Sequence, residues 1–162
     1  MVPLTRKYTL VPLLSATTDA SAFAALSTGN TKPTSDDCID KAGGDFVSNH
    51  FMLAFFGERA SGDNETAQTR VIVWRPDSDG FWHPTVLGVF DLTLGARTRD
   101  TGQYMADTIT ANGTPATAEY RIRSNADDLV AYLLVDVEGS FVIQVQLKKG
   151  TCAKVNAMVG EM

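Results

Sequence analysis

Val, Ile, Thr and aromatic side chains recur along this chain in short runs broken by Gly, Asn, Asp and Pro, and no amphipathic helices alternate with them. That pattern constrains the fold more than any other feature. A β-branched side chain packs well on a pleated surface but crowds the preceding turn of a helix. Turn residues return about every ten positions, which predicts an all-β chain. The expected architecture is an antiparallel β-sandwich, jelly-roll-like or a partly closed barrel, of about 8–9 short strands with at most one short helix. A doubly wound fold needs strands alternating with helices and is excluded. No fixed-period repeat is visible, which argues against solenoids and propellers.

The clearest unit lies near the C-terminus. Residues 129–137 (LVAYLLVDV) are apolar on both faces, as a central, doubly covered strand would be. Glu138-Gly139 reads as a two-residue turn into 140–147, where Phe141, Ile143, Val145 and Leu147 alternate with Gln144 and Gln146. Together these segments predict an antiparallel hairpin. Further strands are expected at 49–56, 68–74, 86–94, 104–110 and 118–123. Residues 8–14 read as an edge strand, because Pro12 cannot donate to a ladder. The polar stretch 57–66 reads as a protruding hairpin loop, and 95–102 as another loop. Residues 19–26 are the one candidate for a helix of about two turns, with a single turn at 125–128.

The 162 residues, 44% of them hydrophobic, fit a single domain spanning 1–162. Apolar residues near both ends suggest extended arms at about 1–7 and 154–162; the alternative is that both ends complete edge strands. Fourteen Lys and Arg oppose nineteen Asp and Glu, a net charge of −5, which argues against direct nucleic-acid binding. No stretch approaches the roughly 20 apolar residues of a membrane helix, so no membrane partner is expected. The N-terminal run makes no convincing signal peptide, and synthesis in a cytosol is expected. Cys38 and Cys152 belong to no short-spaced motif. They read as two free, mostly buried thiols, with one long-range disulfide as the alternative.

Chemistry is sparse. The chain has no phosphate loop, no dinucleotide fingerprint and no nucleophile elbow. A nucleophile would need a base, and only His50 and His83 are available. Asp36-Asp37, Asp77 with Asp79, and Asp127-Asp128 all fall in turns, where carboxylates usually shape the backbone rather than face each other across a cleft. Asp77-x-Asp79-Gly80 opens like a calcium loop, but Trp82 and His83 follow where oxygen ligands are required. Asp107 and Asp136 interrupt apolar strands, and Asp107 is expected to pair with Arg121 or Arg123. No catalytic residue, cofactor or metal site is therefore assigned. What remains is a candidate interface or ligand platform: Trp74, Phe81, Trp82, His83 and Tyr104, with Arg121 and Arg123 as a small basic stripe on one strand. The aromatics suit a carbohydrate platform, the end of the core, or a subunit contact.

The order of these segments carries a resemblance. It runs from Val73-Trp74-Arg75 through Trp82-His83-Pro84-Thr85 and Ala106-Asp107-Thr108-Ile109-Thr110. It continues through 129–139 and closes on Gly150-Thr151-Cys152-Ala153-Lys154-Val155-Asn156-Ala157. From about residue 68 to the end, this is similar to small β-rich virion proteins of tailed bacteriophages. The resemblance implies a non-enzymatic structural subunit of a capsid decoration, neck or tail. Such a subunit is made in the host cytoplasm and assembles as a homo-oligomer with other virion proteins. It supplies no catalytic or binding residues to carry over. The alternative is a carbohydrate- or ligand-binding β-sandwich module.

Overall fold

In the computed structural model the β-branched runs form ten strands, and no helix occurs among the described residues. Those residues are 11–16, 22–40, 50–58, 60, 65–94, 103–113, 120–125, 130–136 and 142–161. The strands are β1 (Val11–Ala16), β2 (Cys38–Asp40), β3 (His50–Glu58), β4 (Glu65–Pro76) and β5 (Trp82–Leu94). They continue with β6 (Gln103–Asn112), β7 (Tyr120–Asn125), β8 (Val130–Asp136), β9 (Val142–Lys148) and β10 (Lys154–Glu161). Every pairing is antiparallel. One sheet runs β1-β10-β3-β8-β7 and the other β9-β4-β5-β6, extended at its β9 edge by the three residues of β2. The expected all-β sandwich is what forms.

The two sheets share β6. Its residues 103–105 pair with 56–58 of β3, whereas 106–112 pair with β5, so one strand turns the corner between layers. Between the layers, Phe51, Leu53 and Phe55 of β3 meet Val71 and Val73 of β4, Phe90 and Leu92 of β5, and Leu133 of β8. All of these are at most 1% exposed. Each such side chain contributes about 1.5–3 kcal/mol by leaving water. Tyr120 closes the margin edge-on against Phe90, with ring centroids 4.8 Å apart.

Strand pairing differs from the sequence expectation in two places. Residues 129–147 do not make a hairpin: β8 pairs with β3 and β7, and β9 with β4 and β2. β8 and β9 lie in opposite sheets, the expected turn at Glu138-Gly139 lies outside the described residues, and both strands send alternate residues (Leu133 and Val135, Ile143 and Val145) into the same core. β8 is also covered on one face rather than two, because Tyr132 and Leu134 remain half-exposed. The segment 57–66 is likewise not a hairpin loop, since β3 and β4 belong to opposite sheets.

The expected arm at 154–162 is corrected as well. β10 lies inside its sheet between β1 and β3, with Val155, Ala157 and Val159 buried. The N-terminal arm at 1–7 lies outside the described residues, as do 126–128 of the turn expected at 125–128, whose Asn125 ends β7. β1 is an edge strand, as Pro12 requires, and a bulge interrupts its pairing between Pro12 and Leu14. Of the expected helix at 19–26, residues 23–26 are irregular.

Those residues begin a strap, 22–37, that crosses the outer face of the second sheet. Phe23 lies under the Arg70 guanidinium, 5.0 Å from the ring centroid, and beside the Lys148 ammonium at 5.3 Å. Arg70 also donates to the Ala24 carbonyl. Leu26 packs on a second cluster formed by Ile72, Trp74 and Val142, together with Cys38, Trp82 and Val86. A bulge in β5 makes this possible. Val71 pairs with Gly88 and Ile72 with Val86, leaving Leu87 as the extra residue. A one-residue slip exchanges the faces of a strand. Thus Val86 faces the strap while Leu87, Phe90 and Leu92 face the main core.

The 149–153 turn clasps the two sheets. Thr151 N–H donates to the Thr66 carbonyl at 3.0 Å, Thr66 N–H donates to Thr151 Oγ1 at 2.9 Å, and Ala153 N–H donates to the Glu58 carbonyl at 2.9 Å. Gly150 has φ +55°, and a Cβ there would stand 2.2 Å from the Thr66 carbonyl oxygen. Gly80 has φ +86°, but a Cβ would meet nothing within 4 Å. Gly150→Ala should therefore destabilise the fold by about 2–4 kcal/mol, combining left-handed strain with overpacking, and Gly80→Ala by about 1–2 kcal/mol from strain alone. Urea denaturation of both variants checks this; equal losses would contradict the clasp.

Candidate functional site

Asp77-Ser78-Asp79-Gly80 joins β4 to β5 and is held by hydrogen bonds that leave it little freedom. Asp77 N–H donates to the Phe81 carbonyl at 2.8 Å, and Gly80 N–H donates to the Asp77 carbonyl at 3.2 Å. Asp77 Oδ1 accepts the backbone N–H groups of both Asp79 and Phe81 at 2.9 Å. An aspartate in this role substitutes its side chain for a backbone acceptor. Its second oxygen, Oδ2, lies 2.7 Å from His83 Nε2. The His83 hydrogen bond, reinforced by the backbone donors, holds the Asp77 carboxyl below the usual carboxylate range.

His83 faces the strap through its other nitrogen, with Nδ1 3.2 Å from Thr28 Oγ1. Beside it the backbones of Gly29 and Trp82 exchange two hydrogen bonds of 3.2 and 2.7 Å. These contacts latch the strap to the hairpin. Neutral His83 donates from Nε2 to Asp77 and accepts the Thr28 hydroxyl at Nδ1, whereas imidazolium donates at both. A hydroxyl, an imidazole and a carboxylate in sequence also form the outline of a nucleophilic site. Here, however, the neighbouring N–H groups of Gly29, Trp82, Asp79 and Phe81 are spent on Trp82, Gly29 and Asp77. The latch thus lacks paired donors for an oxyanion among these groups.

The hairpin brings together four residues of the expected platform, Trp74, Phe81, Trp82 and His83, but not as one open surface. Trp74 is 8% exposed, and its indole N–H donates to Gln144 Oε1 at 3.1 Å. Gln144 Nε2 donates in turn to Asp37 Oδ2 of the strap at 2.8 Å. Trp82 is half-buried in the same cluster. Phe81, 45% exposed, and the His83 imidazole beside it are the rings of this group that face solvent. Tyr104 does not join them: it pairs with Gly57 beyond the Leu94 end of β5, opposite the end that carries Trp82. Arg121 and Arg123 lie on β7 across from Leu134 and Tyr132, at the far edge of the other sheet. The Asp107, Arg121 and Arg123 side chains, and so their expected ion pair, lie outside the described residues.

Thr28 and Gly29 were not legible as site residues, for nothing in SAFAALSTGN marks one position above another. Asp77 was legible as a turn former; its pairing with His83 follows from a six-residue offset across a tight hairpin. His50 Nδ1 lies 3.8 Å from Asp136 Oδ2, its cross-strand neighbour, at an exposed strand end. Among the described residues no group of three or more His, Cys, Asp or Glu is placed to hold a metal ion.

Both cysteines are free. Burial pushes the Cys38 thiol up to about 11, with the Asp37 charge adding to it. Burial, with the nearby Glu65 carboxylate, pushes Cys152 up to about 11. Neither supplies a thiolate at neutral pH.

Two expectations follow. Asp77 has a depressed pKa, so its contribution is present above the ordinary carboxylate pKa and is lost as pH falls through its own. Protection factors of the Asp79 and Phe81 amides should hold at about pH 6 and fall at a pH below the ordinary carboxylate value of about 4. In Asp77→Asn they should be low at both, and unchanged protection in the native chain would contradict the geometry. Alkylation at pH 8 should be roughly a hundredfold slower in the native chain than in urea, given the rise from 9.0 to about 11 at both thiols. A native rate equal to the unfolded one would contradict burial of the thiols. Comparison with known protein families, with curated proteins and with solved structures finds no match for this chain.

Proposed function

We propose that this chain is a non-enzymatic structural subunit of a tailed-phage virion, serving as a capsid-decoration, neck or tail component. It acts through symmetric contacts with copies of itself and with other virion proteins, without direct contact to nucleic acid or membrane. Phe81 carries this reading. A large aromatic ring left 45% exposed stands on a hairpin tip that Asp77 and His83 hold rigid. A preorganised aromatic anchor binds without the entropy cost of ordering a loop, which is how the strongest interface residues act. Ile122, 37% exposed on β7, offers a second apolar point on the other sheet. Two unlike apolar points on one subunit suit head-to-tail contacts, which close into rings where the rotation permits. The resemblance of residues 68–162 to small β-rich phage virion proteins supplies the setting.

Sedimentation of the full chain, paired with glycan-array binding, tests the proposal. Assembly beyond the monomer that Phe81→Ser weakens, with no glycan bound, is the expected result. A strict monomer that binds glycan, and loses it on Phe81→Ser, would replace this reading with that of a carbohydrate-binding module.

A further inference from the structure

Of the asparagines in this chain, only Asn112 precedes a glycine. It is the last residue of β6, exposed, and followed by exposed Gly113 at φ +94°. A Cβ at Gly113 would meet nothing within 4 Å, so the glycine stands in open space on that side. No hydrogen bond engages the Gly113 N–H among the described residues. Asp79-Gly80 has the same backbone preference and makes an internal contrast, because Gly80 N–H donates to the Asp77 carbonyl.

We propose that Asn112 is a site of spontaneous deamidation, and that the product breaks a hydrogen-bonded ladder centred on Asp91. The Gly113 amide nitrogen loses its proton to solvent base and attacks Asn112 Cγ. The new C–N bond closes a five-membered succinimide as the Cγ–Nδ2 bond breaks, and the side-chain nitrogen leaves as ammonia. Water then opens the ring at either carbonyl, giving aspartate or isoaspartate, with no oxidation or reduction.

The structure gives this modification a consequence. Asn112 Nδ2 donates to Asp91 Oδ1 at 3.2 Å, and Gln68 Nε2 donates to the same oxygen at 2.7 Å. Lys148 Nζ donates to Gln68 Oε1 at 3.2 Å. The ladder thus spans β6, β5, β4 and β9 and ends beside Phe23 of the strap. Deamidation replaces the outermost donor with a carboxylate facing Asp91, turning attraction into like-charge repulsion. It adds a negative charge to a chain already at −5. The isoaspartate product also lengthens the backbone where Asn112 pairs with Val89. None of this depends on the assembly reading.

Peptide mass spectrometry of the purified full chain, incubated at neutral pH, tests the proposal. A mass gain of about 1 Da with an aspartate–isoaspartate doublet at 112 is expected, absent in Asn112→Gln, while 79–80 stays unchanged. Asn112→Asp should melt below Asn112→Ser, which loses the hydrogen bond without adding charge. An unmodified Asn112 after prolonged incubation would overturn the site. An Asn112→Asp variant that melts with the native chain would overturn its effect on the ladder.

Discussion

Ile72 and Trp74 point away from the central core, yet they are 0% and 8% exposed. β4 is therefore buried on both faces over residues 71–74, and there its second face needs a cover that the opposite sheet cannot supply. The strap 22–37 provides it, with Leu26 on the apolar cluster and Phe23 on the Arg70 and Lys148 side chains. Because Trp74 spends its indole N–H on Gln144 and Gln144 reaches Asp37, the polar groups under the strap are satisfied rather than stranded.

The rest of the candidate site depends on this arrangement. The bulge at Leu87 lets β5 serve two cores, with Val86 and Trp82 under the strap and Phe90 and Leu92 between the sheets. The strap also brings Thr28 and Gly29 to His83 and Trp82, which fixes the base of the hairpin tip. On the proposed reading, a rigid tip lets the exposed Phe81 act as an anchor without the cost of ordering a loop. The hydrogen bonds of the latch are spent on positioning the chain's own backbone.

Strand identity was legible in the sequence where alternation was clean. In β9, Ile143 and Val145 face the core as the period of two requires, and Phe90, Leu92 and Leu94 do the same in β5. Pairing was not legible. Adjacency and a turn dipeptide cannot distinguish a hairpin from an arch, because both strands of an arch also send alternate residues into a shared core. Besides the adjacent β7, β8 pairs with 50–54, and β9 pairs with 68–74 and 38–40, all far away in sequence. β10 was readable in principle. Val155, Ala157 and Val159 keep the strand period, but small residues carry a weak hydropathy signal. The strap had no periodic signal at all, since it covers β4 with single side chains. Grouping Trp74, Phe81, Trp82 and His83 followed from the hairpin turn; adding Tyr104 failed because β6 turns the corner between sheets there.

The most direct test of this account is hydrogen exchange at the Trp74 indole N–H, followed by NMR. If the strap closes the outer face of β4, that proton should exchange as slowly as the Val71 and Val73 amides, opening only with the whole fold. Rapid indole exchange while those amides stay protected would show the outer face open to water, and the doubly buried β4 would have to be abandoned.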